Sequence, residues 1–355
     1  MKASKMRVLL MGPYPPPHGG VQTNLVSIRR MLLKRGIPCQ VINLTRHRHE
    51  EAGDIHYPKN AIEVVKLLFG LEYDILHLHI GGDLSTRLML LGLVCTLIPG
   101  RKTVLTFHSG GYPSSEAGSG AGPFTLRGFV LRRFDRLIGV NQELTDLYRR
   151  FGASERKIRL IYPHSVSRES FARELPERMA RFVESHDPSI LTVSGLEPEY
   201  EVPLQIDVLG SIRQKFPSAG LMIIGTGSLE EQVRGEIERK PYAEHVLLCG
   251  DVPHPVTLRA ISESDLFLRT TQYDGDSISV REALYSGIPV IATDNGMRPE
   301  GIRLIPRPEA EPLRQAIEEV LGGGRPQNSA PADAGERNIE EVYKLYQELV
   351  AETGK

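Results

Sequence analysis

One run of the sequence holds the residue types and spacing most able to do chemistry: Thr271-Gln272-Tyr273-Asp274-Gly275-Asp276-Ser277-Ile278-Ser279-Val280-Arg281-Glu282-Ala283-Leu284, followed by Gly287-Ile288-Pro289-Val290-Ile291-Ala292. It reads as a strand end passing through a loop into a helix. Asp274 lies in the loop and Glu282 about two turns along the helix, so two carboxylates straddle a helix N-terminus. Between them the amides near Ile278 and Ser279 can meet a phosphate, because the first amides of a helix lack intrahelical partners and carry partial positive charge. Acceptors for hydroxyls beside donors for an anion suit glycosyl transfer, where positive charge develops on a sugar and negative charge on a leaving pyrophosphate. The same residues also read as an acidic N-cap cluster with a surface glutamate.

Two other places carry weaker signals. In Gly12-Pro13-Tyr14-Pro15-Pro16-Pro17-His18-Gly19-Gly20-Val21 the pair Gly19-Gly20 immediately precedes a helix, which suits close backbone approach to a phosphate and is equally turn chemistry. Thr106-Phe107-His108-Ser109-Gly110-Gly111 puts His108 at the carboxyl end of a strand, where open parallel sheets bind ligands. The glycines after it and the loop from Tyr112 to Gly122 favour a lid or an acceptor contact. His77 and His79 share one face of a strand and read as core or cleft wall.

The elements that must position these residues form a doubled pattern. Short apolar runs at Arg7 to Met11, Cys39 to Leu44, Ile75 to Leu78, Thr103 to Thr106, Arg136 to Val140 and Ile158 to Ile161 alternate with helical segments, among them Val21 to Lys34 and Gln142 to Phe151, the latter stopped by Gly152. Pro163 to Pro188 is polar and reads as the connection. A second alternation follows, at Ile190 to Ser194, Leu221 to Ile224, Val246 to Cys249, Leu266 to Arg269, Val290 to Thr293 and Ile302 to Ile305. Residues 322 to 335 read as a loose loop, and Asn338 to Val350 as a last helix that returns to the first domain. The expectation is an α/β chain of two Rossmann-like domains, residues 1–165 and 166–335, with residues 336–355 packing on the first and the ligand held in the cleft between the two.

Composition narrows the setting. Three widely spaced cysteines, Cys39, Cys95 and Cys249, make neither a disulfide framework nor a metal set, which fits a reducing cytoplasm. No secretory leader opens the sequence, and the most apolar run, Leu88 to Ile98, is shorter than the roughly 20 residues of a bilayer span and reads as a buried helix. The net charge of −1 conceals an asymmetry: residues 1–165 carry 23 Lys and Arg against 12 Asp and Glu, whereas residues 166–355 carry 20 against 32. The first half is therefore expected to face something anionic, such as a membrane surface or a pyrophosphate-linked lipid. Phe124 to Arg136, with Arg127, Arg132, Arg133 and Arg136 among Phe129, Val130 and Leu131, reads as a basic amphipathic helix able to rest on an anionic membrane, or as a plain surface helix. No aromatic or basic motif points to nucleic acid.

Asp-x7-Glu followed by Ala-Leu-x-x-Gly-x-Pro-Val-Ile-Ala resembles the acidic-x7-Glu region of the family 4 retaining glycosyltransferases, in a bacterial polysaccharide-type subgroup. Gly19-Gly20-Val21, His108, Leu137 to Thr145, Lys157 to Pro163 and Ile223-Gly225-x-Gly227 fall where that family has comparable segments. The resemblance implies the GT-B fold, with a final helix crossing back. It implies that Glu282 binds the nucleotide ribose, Asp274 the sugar hydroxyls, the Ile278 and Ser279 amides the pyrophosphate, and Gly250 to Val252 the base. Gly19 and Gly20 would close the other side, and His108 would sit by the anomeric centre. It further implies no cofactor or metal, a nucleoside-diphosphate sugar as co-substrate with UDP-sugar favoured, and a saccharide or lipid-linked acceptor in polysaccharide assembly.

One stretch departs from the family. Where Gly-Arg-Leu-x-x-Glu-Lys-Gly presents an Arg and a Lys to the pyrophosphate, this chain reads Ser194-Gly195-Leu196-Glu197-Pro198-Glu199-Tyr200-Glu201, with Gly195 and Tyr200 in the basic positions. Arg269, at the end of its strand, is the favoured substitute, ahead of Arg281 and Arg298. The loss also raises the alternative of a weak or silent sugar-nucleotide-binding subunit. A further alternative, Asp274-Gly275-Asp276 as a manganese site, fits a single Rossmann-like domain and not two. A nicotinamide oxidoreductase lacks its Gly-x-Gly-x-x-Gly after the first strand.

Overall fold

The first apolar run forms a strand buried on both faces, and the same holds for most of the strands that follow, as expected for parallel sheets covered on both sides. The structure is a computed structural model and describes residues 6–45, 53–163, 174–273, 277–296, 298–323 and 334–353. In chain order the elements are β1 Val8–Gly12, α1 Gly20–Lys34, β2 Cys39–Asn43, β3 Ile55–His56, α2 Ala61–Gly70, β4 Ile75–Ile80, α3 Thr86–Thr96, β5 Lys102–Phe107, α4 Glu116–Ser119, α5 Leu126–Leu131, β6 Arg136–Gly139, α6 Gln142–Arg150 and β7 Ile158–Leu160. Then come α7 Glu177–Ser185, β8 Ser189–Val193, α8 Val202–Lys215, β9 Gly220–Ile224, α9 Glu230–Glu238, β10 Val246–Gly250, α10 His254–Glu263, β11 Leu266–Arg269, α11 Ile278–Tyr285, β12 Val290–Thr293, β13 Arg303–Ile305, α12 Ala310–Gly322 and α13 Ala334–Thr353.

The chain divides into two compact units, Met1–Ser165 with Glu336–Lys355, and Val166–Gly335. The N-terminal unit holds a seven-stranded parallel sheet of order β3-β2-β1-β4-β5-β6-β7, and the C-terminal unit a six-stranded one of order β10-β9-β8-β11-β12-β13. Alternation along each strand sends side chains to two cores. Leu9 and Met11 join the layer under α2, α3, α5 and α6, while Val8 and Leu10 join α1 and α13. In the second sheet Ile190 and Leu191 divide in the same way.

Local signals set the ends of the elements. Asn60, Thr125 and Asn141 each accept a hydrogen bond from an amide three residues on, capping α2, α5 and α6. Gly152 takes φ +83° just after α6, a left-handed position where glycine ends a helix without strain. An aspartate before a strand recurs in both units: Asp74, Asp135 and Asp265 accept from the amides of Arg7, Thr103 and Ser189 at the start of the neighbouring strand.

The last helix, α13, buries Val342, Leu345, Tyr346 and Leu349 against the first sheet, each worth roughly 2 kcal/mol of apolar burial. Its glutamates answer part of the basic charge of that unit: Glu340 pairs with Arg35, Glu348 with Arg159 and Glu352 with Arg136. Counting Arg337, Lys344 and Lys355 against Glu336, Glu340, Glu341, Glu348 and Glu352 lowers the unit's excess from eleven positive charges to nine.

Three expectations change. The basic helix foreseen over Phe124 to Arg136 is only α5, because the chain turns after Leu131 and Arg136 enters β6, where it is buried and holds Glu352. The polar connection Pro163 to Pro188 contains α7, whose Met179 and Phe182 are buried against the second sheet; residues 164–173 lie outside the described part. The segment foreseen as a lid is folded down: Tyr112 packs its ring on Phe107 at 5.3 Å, and a side chain at Gly118 would strike the Tyr112 carbonyl. The loop foreseen from residue 322 to 335 lies mostly outside the described residues.

Candidate functional site

In open parallel sheets the crevice for a ligand opens beyond the carboxyl ends of the strands where the strand order reverses, because the crossovers there depart to opposite faces. In the C-terminal unit that reversal lies between β8 and β11. The Val193 carbonyl at the end of β8 accepts from Arg269 Nη1 at 2.8 Å, from the end of β11, and from Ser279 Oγ at 3.4 Å, from the first turn of α11. Arg269 and the start of α11 thus converge on one carbonyl. Ser277 precedes the helix without capping its amides and lies 3.2 Å, hydroxyl to hydroxyl, from Ser279. The first turn holds no acidic side chain, and Ile278 is buried. Asp274, along with the rest of Asp274-Gly275-Asp276, lies outside the described residues.

Glu282, about one turn into α11, is almost wholly buried, with 3% of its side chain exposed. One oxygen, Oε1, accepts from His254 Nε2 at 2.6 Å. His254 opens α10 directly after Gly250, Asp251, Val252 and Pro253, so the segment foreseen to meet a base runs straight into the partner of Glu282. Sequence reasoning named Gly250 and Val252 and missed His254. The available signal was a histidine at the first position of a helix following a strand that ends in glycine. Gly250 itself is left-handed, φ +71°, and its carbonyl accepts from the amide of Gly225.

The departing stretch has a shape of its own. Pro198–Tyr200 makes a single 3-10 turn, and Glu201 follows at φ +50°, ψ +39°, where the family pattern has glycine. For a residue with a Cβ this conformation costs about 1 kcal/mol, so its neighbours must hold it. They do: Gln272 N donates to Glu199 O at 2.8 Å, Gln272 Nε2 to Glu201 Oε1 at 2.5 Å, and Thr270 Oγ1 to Tyr200 O at 3.1 Å. The turn is thereby laced to the chain leaving β11.

In the N-terminal unit the strand order reverses between β1 and β4. The two ends approach closely, since a Cβ on Gly12 would lie 2.9 Å from that of His79. His79 Nδ1 lies 3.3 Å from His108 Nε2, with the rings stacked at 5.6 Å, and His77 stacks beneath His79 at 4.1 Å. His77 is fixed by Tyr346 OH at 2.5 Å and Thr106 Oγ1 at 2.7 Å. Burial pushes the His77 and His108 imidazoles down to about 3 and the His79 imidazole well below its usual range, so all three are neutral near pH 7. Gly19 forms the extended N-cap of α1 and Gly20 its first residue, which places both where the loop leaving β1 enters the helix. His77 and His79 are fully buried, in keeping with the reading of that strand face as core, and His79 in addition seats His108.

The sequence pattern described as "Glycosyl transferases group 1" matches residues 176–331, and that described as "Glycosyltransferase Family 4" matches residues 18–164. Together they take in most of the chain, which belongs to the family 4 glycosyltransferases of the GT-B fold. The chain is similar to the phosphatidyl-myo-inositol mannosyltransferase of Mycobacterium tuberculosis, at 25% identity over 319 residues, covering 81% of this chain and 78% of that protein. It is also similar to the poly(ribitol-phosphate) alpha-N-acetylglucosaminyltransferase of Staphylococcus aureus, at 29% identity over 102 residues, covering 29% of this chain and only 20% of that protein. Among solved structures, HepE of Anabaena in complex with UDP and glucose shares the fold, with a TM-score of 0.67 at 17% identity, covering 98% of this chain and 99% of that one.

Proposed function

We propose that this protein moves a sugar, with retention at the anomeric carbon and without a metal, from a nucleoside-diphosphate donor to a saccharide or lipid-linked acceptor. The observation that carries this reading is the β8/β11 reversal, where a buried arginine and the first turn of a helix converge while a buried carboxylate stands about one turn along that helix. A diphosphate needs cations and amides, and a ribose needs hydroxyl acceptors. With Oε1 of Glu282 held by His254, its other oxygen is the one left for ribose hydroxyls. The amides of Ile278 and Ser279 meet the diphosphate, Asp274 the sugar hydroxyls, and Gly250 to Val252 the base. From the N-terminal unit we assign Gly19 and Gly20 to the phosphates and neutral His108 to a hydrogen bond with the reacting sugar.

In the transfer, the bond between the anomeric carbon and the diphosphate oxygen breaks as the bond to the acceptor oxygen forms. The acceptor's proton goes to the departing phosphate oxygen on the same face.

An anionic acceptor suits the basic N-terminal unit. The names of the two relatives, one acting on a phosphatidylinositol and the other on a poly(ribitol phosphate), agree with it. Ile62, Phe69, Phe124 and Phe129 are exposed on or beside α2 and α5 along with Lys66 and Arg133, which suits the inner surface of a membrane carrying a lipid-linked acceptor.

The test is a panel of UDP-, GDP- and ADP-sugars with EDTA present, following both melting temperature and donor hydrolysis. A ligand at 100 times its Kd raises stability by about 2.7 kcal/mol. A shift with turnover supports the reading, and a shift without turnover supports the silent sugar-nucleotide-binding subunit raised by Gly195 and Tyr200. No shift from any donor overturns both.

A further inference from the structure

We propose that Arg269, seated on the ring of Tyr200, is the cation that meets the donor's diphosphate, and that Tyr200 is its positioning residue. The inference rests on the C-terminal unit being the donor-binding one. The guanidinium carbon of Arg269 lies 4.7 Å from the centre of the Tyr200 ring, and its Nη1 donates to Val193 O at 2.8 Å. The same carbonyl accepts from Ser279, in the first turn of α11, so the guanidinium stands at the mouth of the helix start proposed to meet the phosphates. A guanidinium presents its N–H donors in a planar fork that matches the oxygens of a phosphate, and an aromatic face beneath fixes its plane.

The two departures from the family pattern become one arrangement. A Cβ on Gly195 would lie 3.0 Å from Cε2 of Tyr200, tighter than ordinary contact, so a long side chain at position 195 and the tyrosine ring compete for the same space. With Tyr200 present, the cation cannot come from position 195; it comes instead from the end of β11, across the strand reversal. Tyr200 is held in place from that same side, through Thr270 to its carbonyl and Gln272 to the residues on either side. Glu201 keeps a left-handed backbone as part of this staple.

The experiment compares calorimetric binding of UDP with uridine, and of GDP with guanosine, to the full chain and its variants. The base-matched nucleoside reports the rest of the pocket, and the diphosphate reports the cation. Arg269→Leu is expected to weaken diphosphate binding on the order of ten- to a hundredfold while leaving the nucleoside unchanged. Tyr200→Phe keeps the ring and should bind as wild type, whereas Tyr200→Leu should lose part of the diphosphate affinity alone. Gly195→Arg with Tyr200→Lys in the Arg269→Leu background returns cations to the family's positions and should restore much of the loss. A merely structural Arg269 would not respond to that rescue. Arg269→Leu that binds the diphosphate as wild type does, with its nucleoside affinity intact, overturns the proposal. If Arg269→Leu fails to fold, Tyr200→Leu decides: unchanged diphosphate affinity overturns the seat. Wild type that binds neither diphosphate nor nucleoside overturns the donor reading on which the inference rests.

Discussion

The pairing of Glu282 with His254 gives a quantitative test of the site's construction. Replacing His254 by Leu removes the donor that meets Oε1 among the described residues and leaves a carboxylate with 3% of its side chain exposed. A hydrogen bond to a charged group contributes about 1.5–3 kcal/mol, and breaking a buried charged pair by removing one partner costs about 3–5. His254 keeps 21% of its side chain exposed, so water can reach part of the gap and the lower figure applies, about 3 kcal/mol. At about 2–4 °C per kcal/mol for a unit of this size, the melting transition should fall by roughly 6–12 °C. Glu282→Gln should cost less than His254→Leu, since it removes the charge that must be solvated. The double variant should be less destabilised than the sum of the singles by at least about 1 kcal/mol, because the second change removes the group stranded by the first. The assay is calorimetric unfolding of the four proteins at one pH without nucleotide. A His254→Leu transition within about 2 °C of wild type, or single costs that add to within about 0.5 kcal/mol, would refute the pairing.

Acid should destabilise the N-terminal unit steeply. Below pH 6.5 the unfolded chain takes up protons on His77 and His108 that the folded unit refuses until about pH 3, and one on His79, whose folded imidazole burial also holds well below its usual range, so stability falls as pH falls through that window, by up to about 1.4 kcal/mol per pH unit for each. A melting temperature flat from pH 7 to pH 5 contradicts this. Gly225→Ala should destabilise the C-terminal unit by more than about 2 kcal/mol, since φ is +137° there and a Cβ would lie 1.8 Å from Ser194 O; denaturant unfolding with an unchanged midpoint would rule it out. The protein should bind vesicles containing anionic lipid at low salt and leave them as salt rises, and Phe124→Ser with Phe129→Ser should weaken that binding; absence of binding at low salt removes the membrane surface from the proposal.

Much of the fold was legible because parallel strands buried on both faces leave continuous apolar runs, and Leu266–Arg269 and Val290–Thr293 fall where they were expected. The two-residue strand Ile55–His56 is too short to show any period. Helix α7 was lost because two buried side chains, Met179 and Phe182, must be picked out of a charged segment. The overlong basic helix came from treating four arginines as one face, although Arg133 donates to Thr96 and Arg136 belongs to a strand. Glu282 and Arg269 could be found because a motif and a strand end mark them. The pairing of His254 with Glu282 could not, because the two meet across 28 positions through the packing of α10 on α11, which no local spacing encodes.

The placement of polar groups follows from where each sheet changes direction. Beside β8 and β11, successive crossovers leave to opposite faces, which leaves a gap between the strand ends where polar side chains such as Arg269 and Ser279 converge. In the N-terminal unit the gap between β1 and β4 collects His79, with His108 one strand further on and Gly12 leaving no room for a side chain. Changing which residue supplies a charge, as between Gly195 and Arg269, is then tolerable because both lie on the rim of one gap. On the proposed reading the sheet order sets where the diphosphate sits, and the sequence retains freedom over which strand end reaches it.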